Sequence, residues 1–182
     1  ILPSRNRREK CFSILKEYQD LSAHNSVRFI LSCDEDDASM NNDEVKSQVD
    51  KIKNTDIVFN ENKINIVNQL GQVHKSDFTT KIQAINSGAI NQDFDICLLA
   101  SDDMHPEIKG YDSIIDNDMR KYYPDTDGVL WYNDGCQGDK LNTLCILGKK
   151  YYDRFGYIYH PSYITLYCDD EFTRVSKSLG KC

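Results

Sequence analysis

Four short stretches of the chain gather charged side chains that could act together. Arg5 and Arg7 follow Pro3 and Ser4, Asp34-Glu35-Asp36-Asp37 is an unbroken acidic run, Ser101 precedes Asp102 and Asp103, and Asp169-Asp170-Glu171 lies near the end. Carboxylates with arginines nearby suit a divalent cation and a phosphorylated ligand. Mg²⁺ and Mn²⁺ take hard oxygen ligands, commonly one or two carboxylates with substrate phosphates filling the shell. A carboxylate in a separate cluster can serve as a general base. Solvated acidic loops use the same residues, and the helix dipole favours acids in a first turn whatever their chemistry.

Spacing excludes several other chemistries. An EF-hand loop starting at Asp34 would place Ser39 where glycine is needed and Val45 where the bidentate glutamate belongs. No Gly-x-Gly-x-x-Gly follows a strand pattern, and the stretch 135–140 lacks the frame of a Walker loop. His24, His74, His105 and His160 have no metal-ligand spacing, although His105 stands two positions beyond Asp103. The seven cysteines include no Cys-x-x-Cys pair. Cys33, Cys97 and Cys145 sit inside apolar runs as small core residues, which fits a reducing, cytoplasmic compartment. A formal net charge of −7 disfavours a nucleic-acid partner. No apolar run nears the roughly 20 residues of a membrane span, so membrane association would need segments outside this sequence.

The elements that must position these residues follow from periodicity. The length of 182 residues suits one domain, at about 150 residues per domain. Residues 1–3 read as the end of a strand. Asn6, with Glu9 three positions on, predicts a helix N-cap, and Cys11, Ile14, Leu15 and Tyr18 form that helix's apolar face. The runs 27–33, 57–59, 64–67 and 95–100 predict strands. Val45, Val49 and Ile52 mark one helix, and Phe78, Ile82, Ile85 and Ala89 mark another. Beyond residue 100, Tyr111, Ile114, Ile115 and Met119 predict a helix, 129–132 and 144–147 predict strands, and Phe172, Val175 and Leu179 predict a closing helix. Alternating strands and helices over 1–100 predict an α/β fold with a parallel sheet. In such a sheet ligands bind at the carboxyl ends of the strands, where three of the charged stretches fall.

These residues resemble a known family in five places. Ile-Leu-Pro-Ser-Arg-Asn-Arg at 1–7 is similar to the opening of GT-A-fold glycosyltransferases of the family-2 type. Phe29-Ile30-Leu31-Ser32-Cys33-Asp34 resembles their second strand, and Lys81 to Gly88 their Gly-Lys-x-x-Ala-Leu-Asn-x-Gly helix, with Thr80 in place of the first glycine. Ser101-Asp102-Asp103 stands where they carry an Asp-x-Asp-like metal motif, and Cys168-Asp169-Asp170-Glu171-Phe172 where a Glu-Asp pair supplies the catalytic base.

The resemblance implies a GT-A, Rossmann-like, mostly parallel sheet flanked by helices. It implies one domain over 1–182, with a nucleotide-sugar half at about 1–104 and an acceptor-side half at about 105–182. The implied activity is metal-dependent transfer of a sugar from a nucleotide diphosphate, UDP ahead of GDP, to a saccharide or other hydroxyl acceptor, with inversion. Pro3, Ser4, Arg5, Arg7, Asp34, Asp36, Lys81 and Asp102 would bind the nucleotide, and Asp103 with Asp102 would hold Mn²⁺ or Mg²⁺. Asp170, seconded by Asp169, would be the base, and Trp131 would meet the acceptor. The tyrosines at 151, 152, 157, 159, 163 and 167 offer either further stacking faces or, as is more common for such a cluster, a core with polar tips. A sugar nucleotidyltransferase is the alternative enzyme, though residues 4–8 hold no glycine; a non-catalytic carbohydrate- or nucleotide-binding module is the alternative without chemistry.

Overall fold

The structure, a computed structural model, describes residues 1–60 and 80–182, and the backbone of two strands at 64–67 and 73–76. Its first half alternates as the periodicity predicts: strand β1 (Leu2–Ser4), helix α1 (Arg8–Leu21), strand β2 (Phe29–Asp34), helix α2 (Asp43–Val49) and strand β3 (Thr55–Asn60). β1 and β3 both pair in parallel with β2, giving a three-stranded sheet in the order β1-β2-β3. β4 (Ile64–Val67) and β5 (Val73–Ser76) depart from that alternation and pair antiparallel with each other. Helix α3 (Lys81–Ser87) and strand β6 (Ile96–Leu98) come next; Phe78, expected on this helix, lies outside the described residues.

The second half comprises α4 (Tyr111–Tyr122), β7 (Val129–Leu130), β8 (Ile146–Gly148), α5 (Lys149–Phe155) and α6 (Cys168–Ser178). β6 and β7 flank β8, both antiparallel to it. Two backbone hydrogen bonds join this sheet to the first: the Ile1 nitrogen donates to Leu98 O at 2.8 Å, and Ala100 N–H donates to Ile1 O at 2.9 Å. That reciprocal pattern belongs to parallel neighbours, so β6 runs beside β1 and with it. Only β8 opposes the other strands of the two joined sheets.

Side-chain alternation shows two covered faces. Leu2, Leu31, Cys33 and Ala100 pack under α1 and α2, and Leu130 and Ile146 pack under α4. The intervening residues Cys97, Leu99, Val129, Cys145 and Leu147 point the other way, against α3, α5 and α6. The strands are therefore apolar on both faces, which is why 95–100 and 144–147 read as continuous apolar runs rather than alternating ones. Among the described residues no helix is long and apolar enough to cross a membrane.

Two local expectations need correction, and one helix has no counterpart among them. Helix α1 starts at Arg8 with Arg7 as its N-cap residue, and no side chain caps it. Asn6 instead sits at φ 55°, a left-handed conformation that asparagine tolerates and that turns the chain out of β1. Ile52 lies beyond α2, although it still packs against the same core. Helix α5 was not predicted; it occupies the tyrosine-rich stretch, whose aromatic residues leave no clear helical period.

Candidate functional site

The carboxyl ends of β1, β2 and β6 lie side by side, and each feeds a charged loop. Arg5, just past β1, forms ion pairs with Asp34 at the end of β2 and with Asp36, its Nη1 lying 2.7 Å from Asp36 Oδ1 and its Nη2 2.9 Å from Oδ2. These contacts raise the Arg5 pKa and hold the Asp36 carboxyl below its ordinary range. Asp37 is buried and ties the two loops together. Its Oδ2 accepts from Asn6 N–H at 2.8 Å, and its Oδ1 accepts from Ser39 N–H at 3.0 Å and Ser39 Oγ at 2.6 Å. The Asn6 turn and the acidic loop thus hold each other.

Asp34 is 97 % buried by residue, only 3 % of its surface being exposed. One of its oxygens accepts from Arg5; the other, Oδ1, has no partner among the described residues. A buried carboxylate oxygen left unpaired is costly unless a ligand supplies the donor.

Asp102 is also buried, and Arg7 Nη1 reaches both of its oxygens, at 2.8 and 3.1 Å, with Lys10 Nζ at 3.9 Å. Asp103 is exposed; the Ser101 hydroxyl bonded to it lowers its pKa, with Lys10 and Lys81 adding to the effect. Its carboxylate is therefore ionised and open to a ligand. His105, two residues on, turns away to Glu17 of α1 at 2.8 Å and takes no part.

Lys81 opens α3, where Thr80 forms a capping box with Gln83: Gln83 N–H donates to Thr80 Oγ1 at 3.2 Å and Thr80 N–H to Gln83 Oε1 at 3.0 Å. Threonine at position 80, where the resemblance would put glycine, thus has a local purpose. The Lys81 charge is felt both at Asp103 and at Cys168, the first residue of α6. Lys81 is thus within electrostatic reach of both the β6 loop and the α6 N-terminus. Asp169 and Asp170 stand in that first turn of α6, Asp169 half-buried and Asp170 exposed. Asp169 Oδ1 accepts from Asp170 N–H at 3.1 Å, and no described residue engages the Asp170 carboxylate.

Much of the rest of the α3 motif packs rather than binds. Asn86 is buried; its Nδ2 donates to Tyr159 O at 2.7 Å and its Oδ1 accepts from Ile158 and Tyr159 N–H at 3.0 and 3.1 Å. A Cβ on Gly88 would meet Ile1 Cγ2 at 2.6 Å and Ser32 Cβ at 3.1 Å, so the helix end approaches β1 and β2 as only glycine allows. Ser32 Oγ donates to Ala84 O from below.

In the second half of the chain, Tyr151, Tyr152 and Tyr159 belong to the hydrophobic core, the commoner of the two roles open to the tyrosine cluster. Tyr157, Tyr163 and Tyr167 remain more open. Trp131 lies beside the last turn of α6, with Lys177 Nζ 4.4 Å from its ring centroid. Seven residues of helix, about 10 Å of rise, separate Lys177 from Asp170. Sequence reasoning missed the approach of Lys10 to Asp102, which depends on α1 lying beside the β6 loop, and the locking role of Asp37, which depends on the turn at Asn6. Comparison of the chain with protein-family models, with curated proteins and with solved structures finds no match.

Proposed function

We propose that this chain is a GT-A-type glycosyltransferase that moves a sugar from a nucleotide diphosphate to an acceptor hydroxyl. One observation carries the reading: the buried Asp34, with an oxygen awaiting a donor, stands beside Arg5 at the same sheet end as the Asp102–Asp103 pair. A base-binding carboxylate next to a phosphate-side acidic pair is what a nucleotide diphosphate requires. The mostly parallel strands with helices on both faces fit the same family resemblance.

Asp34 Oδ1 takes one N–H, which suits the single imide donor of uracil better than the two donors of guanine, and Arg5 and Asp36 flank the base. Pro3 and Ser4 lead the backbone to this site. Arg7 orients Asp102 toward the ribose, while Lys81 adds positive charge near the diphosphate. The donor set fits a hard cation: Asp103 is ionised and exposed, whereas Asp102 is committed to Arg7. Mn²⁺ or Mg²⁺ held by Asp103 would supply Lewis-acid neutralisation of the leaving diphosphate. Asp170 accepts the proton of the acceptor hydroxyl as its oxygen bonds to the anomeric carbon and the bond to the diphosphate breaks, which inverts that centre. Asp169 supports the turn, and Trp131 lines the outer acceptor side.

The test measures UDP release from UDP-glucose, UDP-galactose and UDP-N-acetylglucosamine with methyl glycosides as acceptors. Release with at least one donor, lost in Asp170→Asn while UDP binding persists, is the expected result. The engagement of Asp102 by Arg7 and the presence of Ser101 in the acidic motif favour a second reading, a module that binds the nucleotide sugar without turnover. UDP binding with no release from any donor would select it.

A further inference from the structure

The far end of the same sheet carries a gap. β2 begins at Phe29, yet its pairing with β1 starts only at Leu31, opposite Leu2. On the other flank β6 begins at Ile96, while its bonds to the β1 side start at Leu98. The overhanging parts of β2 and β6 face each other across a groove of about 580 Å³, lined by Phe29, Ile30, Ile96 and Leu98 and, from the helices beneath, Tyr18 and Ile115.

The walls of this groove are strand edges. Peptide groups alternate sides along a strand. Leu98 C=O and Ala100 N–H meet Ile1, so the N–H of Leu98 and the C=O of Ile96 aim into the gap. Phe29 N–H donates to Asn54 O on the β3 side, so Ile30 N–H and Arg28 C=O aim into the gap from opposite. The groove is thus one strand wide and in line with β1, with hydrogen-bonding groups on both sides; apolar side chains share its lining with Arg28, Asp95, Asp116 and Arg120. The Ile1 nitrogen sits at its inner end, where burial lowers the pKa of an ammonium. An amide N–H donating to Leu98 O there avoids the desolvation of a charge.

We infer that this groove is a strand site whose occupant is an extended apolar segment joined through the Ile1 nitrogen, in line with β1 and parallel to β2 and β6. Helices cover both faces of the sheet, so the segment is apolar at successive positions rather than at alternate ones. The inference is independent of the nucleotide site, which lies at the opposite ends of these strands.

The test compares the 182-residue chain with two extended forms, Val-Ile-Val or Gly-Ser-Gly attached to Ile1. Thermal unfolding and amide hydrogen exchange are followed in all three. The apolar extension is expected to raise Tm by about 5 °C or more over the Gly-Ser-Gly form and to slow exchange at Ile30 and Leu98. Equal Tm values with unchanged exchange at these amides would overturn the inference. A dimer of the unextended chain that dissociates on apolar extension would overturn the stated occupant, by showing that a second copy fills the groove.

Discussion

Asn86 offers the sharpest energetic test of how the second half of the chain is held. Its carboxamide makes three hydrogen bonds to the backbone of Ile158 and Tyr159, residues that are 2 % and 5 % exposed. Asn86→Ala removes all three and leaves two N–H groups and one carbonyl buried without partners. At about 1–3 kcal/mol for each group left unpaired, with water entering the space vacated by the carboxamide, the loss should be about 3–4 kcal/mol. For a chain of this size that corresponds to a fall in Tm of roughly 10 °C. Asn86→Asp keeps the two acceptor bonds but sets a buried carboxylate oxygen against Tyr159 O, so at pH 7 it should cost at least as much, and the loss should shrink in acid as the protonated carboxyl restores the donor. Differential scanning calorimetry reads the stability, and hydrogen exchange at Ile158 and Tyr159 reads the local release. If Asn86→Ala melts within about 2 °C of the parent with both amides still protected, the carboxamide does not anchor this loop and the reasoning fails.

Asp34→Asn replaces the unpaired acceptor with a group that presents a donor on one side, while Arg5 keeps Asp36. UDP affinity by calorimetry should drop about 10–100-fold, as loss of a charge-assisted hydrogen bond predicts, and an unchanged affinity would remove Asp34 from the base site. Asp127 is buried between Arg154, at 2.7 and 2.8 Å, and Lys181, at 2.8 Å, and these partners, Lys181 foremost, lower its pKa below 3.8. A depressed carboxyl pKa contributes stability that is full above the unfolded value and is lost as pH falls through the folded one. The gap in urea midpoint between the parent and Asp127→Asn should therefore stay constant from pH 7 to about 5 and narrow below about 4. A gap that does not change with acid would mean the ion pairs add nothing.

The legible part of this fold was its apolar skeleton. The runs at 27–33 and 95–100 and the spacing of Cys11, Ile14, Leu15 and Tyr18 report burial directly, and the structure places strands and a helix there. Strand partners were less legible, because the apolar runs of β6 and β8 look alike whether the neighbour is parallel or antiparallel. The start of α1 was misread because Asn6 is equally suited to capping a helix and to a left-handed turn, and the buried Asp37 that accepts its N–H lies 31 residues away. The charged loops were visible as composition, whereas the pairing of Arg5 with Asp34 and of Arg7 with Asp102 depends on which strand ends become neighbours. Which tyrosines of the cluster are core and which stay open was illegible for a related reason. Tyr151 and Tyr159 bring enough apolar surface to pack against Phe172, a contact that composition alone does not reveal.

The central claim is that the β1, β2 and β6 loops form a metal-assisted nucleotide-diphosphate site. Calorimetric titration of UDP and of GDP, with and without Mn²⁺, into the intact chain and into Asp103→Ala tests it most directly. UDP binding that strengthens with Mn²⁺, exceeds GDP binding and loses its metal dependence in Asp103→Ala is the predicted result. A folded chain that binds neither nucleotide, with or without Mn²⁺, would contradict it.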